Sequence, residues 1–199
     1  GHDSESVGGS LYYNAKSGTC YAGSSNATTS CNFTSTGLKN DTTRNAIESV
    51  VWNLGGYNGE NNFYPSDFYT YERGTTVYSG RPTTWTGKIG LMYPSDYGYA
   101  TGGSSSTNRA TCLAKKLYNW DSASDCYNND YLFKSSYAQW TLAPYSGRAY
   151  SVFDVYSSGG VSNGNAYLTF GVRPALYLKS SISVVDGNGT STSPYKLEM

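Results

Sequence analysis

Four cysteines fall into two local pairs, Cys20 with Cys31 and Cys112 with Cys126, each enclosing a short loop rich in Ser, Asn and Tyr. No CxxC occurs, and the single histidine, His2, completes no zinc site, so metal binding is the weaker explanation of the cysteines. Of the three possible connectivities, the expected one is Cys20–Cys31 and Cys112–Cys126. Each bridge would remove loop entropy worth on the order of 3 kcal/mol from the unfolded chain. Two buried thiols beside a chance pair are the alternative. Disulfides imply an oxidising compartment, which places the chain outside the cell or on its surface.

Tyrosine fills 21 of 199 positions, with 23 glycines and many Ser, Thr and Asn beside it. A tyrosine ring offers rigid contact area with a polar tip, which is why recognition surfaces are rich in it. Histidine, the commonest general base and metal ligand, is found only at position 2. The composition therefore points to binding, not to an enzyme, and implies no cofactor. Fourteen basic and fourteen acidic residues cancel, and no Lys/Arg run exists to neutralise a nucleic-acid backbone. No apolar stretch reaches the roughly 20 residues that span a membrane, so no membrane insertion is expected.

Residues 1–10 read as an expression scar and a flexible lead-in, and residues 11–199 as a single ectodomain. A natural precursor would carry its own export or anchoring segment. Leu11-Tyr12-Tyr13 reads as a first short strand. Ile47, Val50, Val51 and Leu54 recur at helical spacing after a cap at Asp41 or Thr42, so the spacing predicts a helix ended by Gly55-Gly56. Residues 57–84 hold few aliphatics and many turn formers. Trp85 to Tyr93 alternates as a buried strand would, and Leu113 to Trp120 reads as helical turns inside the second cysteine loop. Later strands are expected at Trp140–Leu142, Ala149–Tyr156, Ala166–Phe170, Val172–Leu178 and Ile182–Val185. Hairpin turns are expected at Ser157-Ser158-Gly159-Gly160 and Asn163-Gly164.

Tyr64-Pro65-Ser66-Asp67-Phe68 is echoed by Tyr93-Pro94-Ser95-Asp96-Tyr97, and both read as aromatic-flanked turns. Asp67 and Asp96 invite comparison with a glycosidase carboxylate pair. An Asp after Pro-Ser is more often a turn residue, and no serine has a histidine base. Asp121, Asp125 and Asp130 read first as a solvated acidic loop and second as a calcium site. Asp186-Gly187-Asn188-Gly189 reads in the same order, tight turn before calcium loop. Arg173 sits in an otherwise apolar strand and needs a partner, for which Asp154 and Glu48 are the candidates.

Gly171-Val172-Arg173-Pro174-Ala175-Leu176-Tyr177-Leu178, preceded by Trp140-Thr141-Leu142-Ala143-Pro144, resembles the terminal part of a bacterial family of unassigned function, DUF6273. Val155 to Val161 fills that family's hairpin, and Trp85 to Ala100 also resembles it. Ala143 stands where the family has Arg-Ser. The pattern is similar in turn to C-type-lectin-like folds, including formylglycine-generating-enzyme-like domains and the variable proteins of diversity-generating retroelements. The copper-binding cysteines of the first group have no counterpart here, and the calcium-lectin signatures are absent. The resemblance implies an α+β fold, with a small twisted antiparallel sheet, one or two helices and extensive loops. Trp140 and Arg173 would then be structural.

In such folds the loops before the final strand form the binding face. On this chain they hold Tyr145, Arg148, Tyr150, Tyr156, Asn163, Asn165 and Tyr167, with Tyr97, Tyr99, Tyr127 and Tyr131 as a second patch. The expected function is non-enzymatic recognition or adhesion on a bacterial surface or pilin-like protein, directed at a host or bacterial glycan or protein. A structural subunit that self-assembles through its tyrosines is the alternative, ahead of a carbohydrate-active enzyme.

Overall fold

The computed structural model describes residues 19–20, 29–30, 41–59, 61–166, 168–190 and 192–198. The lead-in, the strand at Leu11-Tyr12-Tyr13, the Cys20–Cys31 bridge and Tyr167 lie outside the described residues. Strand β1 (Thr19–Cys20) pairs antiparallel with β2 (Thr29–Ser30). From residue 41 the chain is α+β, with short helices and several small antiparallel sheets where one sheet was expected.

The helix expected through Leu54 stops early. Helix α1 covers Asp41–Ala46, and Val50–Asn53 is strand β3. The run Val50-Val51-Trp52 carries β-branched and aromatic side chains that suit an extended backbone. It pairs with β4 (Thr84–Gly87), Trp52 opposite Trp85. Trp52 turns inward while Val51 is 62% exposed, as strand alternation requires and a helical stripe would not. Lys88 ends α1 by donating its Nζ to the carbonyls of Arg44 and Ile47, both at 2.7 Å. That inward-drawn lysine also divides the expected strand at Trp85–Tyr93. One part is β4, which is largely exposed and not buried; the other is β5 (Ile89–Leu91).

The two Pro-Ser-Asp segments are helix starts, not simple turns. Helix α2 runs Pro65–Glu72 and helix α3 runs Pro94–Ala100. In each, proline fills the first helical turn, where its missing N–H costs nothing. The tyrosine before it is extended, as a residue preceding proline prefers to be. Asp67 Oδ2 accepts from Tyr64 N and Asp96 Oδ2 from Tyr93 N, each at 2.9 Å. The helices are joined by Glu72, which is buried and accepts from Ser95 N at 2.9 Å and from Ser95 Oγ at 2.5 Å. Burial pushes the Glu72 carboxyl up to about 8, against the pull of those hydrogen bonds.

Helix α4 (Arg109–Leu113), a 3-10 helix (Leu117–Ser122) and α5 (Ser124–Tyr127) follow, tied by the Cys112–Cys126 disulfide. The central sheet is β6 (Gln139–Pro144), β7 (Ser151–Val155) and β8 (Val161–Asn165) in meander order. Ser157 to Gly160 makes the expected turn, with Gly159 at φ +96° and Val155 paired to Val161. Asn163-Gly164 is not a turn but lies within β8, and neither Ala166 nor residues 168–170 belong to a strand. Gly164 is there for close approach: a Cβ would stand 2.8 Å from Asp154 Oδ2 and 3.1 Å from the Phe170 ring. Strand β9 (Pro174–Leu176) pairs with β5, and β10 (Ser183–Asp186) with β11 (Lys196–Glu198). Where a tight turn was expected, the Asp186–Gly189 segment opens a longer connection to β11, with Gly187 and Gly189 at positive φ, and Lys196 Nζ meets Asp186 Oδ2 at 2.6 Å.

The main core is aromatic. Phe68 meets Phe63 at 4.5 Å and Phe153 at 4.7 Å, both edge to face, and Tyr97 packs on Trp120. Three tyrosines are buried in the interior. The hydroxyls of Tyr93, Tyr97 and Tyr145 donate to the carbonyls of Asn53, Gly159 and Asn58 at 2.7–2.9 Å. Tyrosine thus fills space and satisfies loop carbonyls that an aliphatic side chain would strand. The opposite face of the central sheet is covered by Trp140 packed on Phe170, with ring centroids 4.5 Å apart and the rings tilted by 35°. Asp154, opposite Trp140 and Ser162 in register, is fully buried, and neither carboxylate oxygen has a hydrogen-bond partner.

Candidate functional site

The residues expected to bind ligand do not form one surface. Tyr145 is a core residue, 7% exposed, and its hydroxyl is committed to Asn58. Arg148 and Tyr150 are exposed in the connection between β6 and β7, where Arg148 lies 5.7 Å from the Tyr145 ring centroid. Asn163 and Asn165 are half-buried in β8, with Ser151 Oγ 3.5 Å from Asn165 Oδ1. Tyr156 is exposed at the other end of β7. Alternation along β7 and β8, and the length of the strands, separate what loop proximity suggested.

The second tyrosine patch is also divided. Tyr97 is fully buried and Tyr127 half-buried, but Tyr99 and Tyr131 both line an open cleft of about 600 Å³. Helix α3 supplies Asp96 and Tyr99 to its wall, and α4 supplies Arg109. The loop after α5 supplies Tyr131 and Leu132, and the segment entering β9 supplies Arg173, Pro174 and Ala175. Thr101 and Gly102 form the rim, fastened to the disulfide-bonded loop. Thr101 Oγ1 donates to Cys126 O at 2.6 Å, and Gly102 N to Asn129 O at 2.9 Å. Arg109 is held by two backbone carbonyls, its Nε on Thr101 O at 3.1 Å and its Nη2 on Tyr99 O at 2.9 Å.

Arg173 meets neither partner expected for it. Its Nε donates to Gln139 Oε1 at 3.3 Å, because Gly171 is bridged to Gln139 at the start of β6; the chain reaches the Glu48 backbone only at Tyr177, whose carbonyl accepts from Glu48 N at 2.8 Å. Its charge lies close to Asp130, a buried carboxyl that also accepts from Leu132 N at 2.8 Å. Burial pushes Asp130 up to about 7, and the Leu132 hydrogen bond and the Arg173 charge both oppose that rise. The acidic cluster does not converge: Asp130 turns inward, while Asp125 accepts from Ser106 Oγ at 3.3 Å. Among the described residues, no three His, Cys, Asp or Glu side chains gather as a metal site. The role of Arg109 had no local signal in the sequence, since it depends on α4 folding back toward α3.

The molecule is therefore an α+β domain with a disulfide-braced cleft that combines two arginines, two tyrosines and one carboxylate. Residues 93–180 match the family model described as "Domain of unknown function (DUF6273)", which supports assigning that part of the chain to the family. The matched segment contains the cleft residues from Asp96 to Ala175. No curated protein and no solved structure matches the chain. Among the described residues, no helix is long and apolar enough to cross a membrane.

Proposed function

We propose that the chain is a non-enzymatic recognition module of an extracellular, bacterial surface or pilin-like protein, with a C-type-lectin-like fold. The cleft carries this reading: exposed tyrosine rings beside arginines in a concave site are the chemistry of ligand capture. The disulfide suits an oxidising compartment. Asp67 and Asp96, the pair that would serve a glycosidase, each have one oxygen committed to starting a helix. The test is binding of the purified chain to arrayed glycans and mucins, with and without chelator. Tyr131→Ala is expected to weaken a specific hit about tenfold or more, as loss of an aromatic anchor does. Tyr131 is 78% exposed, so that loss cannot be a folding defect in disguise. Loss in Tyr150→Ala instead would move the binding face to the end of the central sheet.

A second reading, self-assembly as a structural subunit, is favoured by the β10–β11 hairpin. It exposes Val184, Val185, Tyr195 and Leu197, an apolar surface of the kind that subunit contacts use. Sedimentation over a wide concentration range decides it. A monomer throughout is expected from the recognition module; reversible association abolished by Val184→Lys would favour the subunit.

A further inference from the structure

We propose that the cleft binds a carboxylate-bearing sugar, with Arg109 and Arg173 drawing the carboxylate and Tyr131 receiving the sugar ring. This rests on the recognition reading above and names the ligand class. Both guanidinium groups line one concave site, yet they spend their hydrogen bonds only on neutral acceptors: the carbonyls of Thr101 and Tyr99, and the Gln139 amide. Neither makes an ion pair among the described residues. Arg109 keeps its Nη1 group uncommitted there, and Arg173 keeps both terminal Nη groups. Such forks match the planar geometry of a carboxylate and bind it bidentately.

Asp96 is the only acid among the lining residues, so two positive charges face one negative. Its Oδ2 is bonded to Tyr93 N, which leaves Oδ1 as an acceptor for a ligand hydroxyl. Asp130, whose charge interacts with Arg173, is buried and lies outside the lining residues. One net positive charge attracts an anion, and the planar guanidinium fork matches a planar carboxylate. Tyr99 and Tyr131 are exposed aromatic side chains of the lining, of the kind that packs on the C–H side of a sugar, and Met92, Leu132 and Pro174 add apolar lining. The volume of about 600 Å³ falls within the roughly 300–1,000 Å³ typical of small-ligand sites.

The experiment titrates the whole chain with sialyllactose, tri-galacturonate, lactose and sulfated lactose by calorimetry. At least one carboxylated sugar is expected to bind about tenfold tighter than lactose, a preference that declines with added salt. Which one wins distinguishes a sialylated from a uronate-containing source. Arg109→Gln and Arg173→Gln should each erase most of that preference, read as the ratio of acidic to neutral sugar affinity within the same variant. Should Arg109→Gln melt early through loss of its backbone bonds, the salt titration of the native chain gives the same answer. Equal binding of neutral and acidic sugars, a preference indifferent to salt and to both substitutions, or tighter binding of sulfated lactose would each overturn the proposal. If the glycan and mucin array gives hits without favouring acids, only this inference falls. A silent array takes the recognition reading with it.

Discussion

Asp154→Asn should raise the melting temperature most at about pH 8.5, less at about pH 5, and leave it nearly unchanged at about pH 3. Asp154 is fully buried beneath Trp140 and Phe170, has no hydrogen-bond partner on either oxygen, and is pushed up to about 7 by burial alone. In the unfolded chain the same carboxyl loses its proton near its ordinary value of 3.8. Between those values unfolding releases a proton, so stability falls as pH rises and levels off once the folded group has also ionised. The full difference corresponds to an upper bound of about 4 kcal/mol, with relaxation around the charge reducing it. For a chain of this size that is a melting shift on the order of 10 °C. Glu72 and Asp130 are raised by burial too, so the native protein is expected to be most stable in mild acid. The asparagine variant removes one component of that slope. Melting curves of the two proteins that run parallel from pH 5 to 8.5 would sink the account.

The double substitution Cys112→Ala/Cys126→Ala should cost about 3 kcal/mol of stability, the loop entropy of a closed segment of this length. The two cysteines are 14 residues apart, and both are fully buried against Leu117 and Trp120. Cys112 lies on α4 with Arg109, and Cys126 precedes the loop that carries Tyr131. The bridge therefore sets the spacing of two cleft walls, and the variant should lose ligand affinity even at temperatures where it remains folded. Urea unfolding measures the first effect and calorimetric titration of the folded variant the second. Unaltered stability would mean that the loop is held by its packing alone.

How much was legible depends on how local each signal is. The Cys112–Cys126 pair and the glycine turn after β7 are encoded within a few residues, and they stand where the sequence placed them. The false helix at Ile47–Leu54 had convincing spacing. Only the distant partner strand at Thr84–Gly87 shows that Val50-Val51-Trp52 is extended. The helix starts at Pro65 and Pro94 had readable signals, a first-turn proline and an aspartate two residues on, but these residue types also make turns. Tyrosine was the subtler case. Its ring and hydroxyl suit a binding surface and a loop-rich core equally, and Tyr97 and Tyr145 serve the core. The cleft could not be read at all as a unit, because Asp96, Arg109, Tyr131 and Arg173 belong to four separate segments.

The pairing of β5 with β9 has a further consequence, in the order in which the molecule is built. Ile89 must wait for Leu176, and every helix and the whole central meander between them is made in the meantime. Long-range pairings of this kind form late, since the loop they close is costly until the intervening segments have condensed. On a ribosome, the aromatic core could consolidate around Phe68 and Phe153 while the strand bearing Arg173 was still unmade. The cleft is thus completed after the aromatic core, and a nascent chain would be compact before that cleft existed.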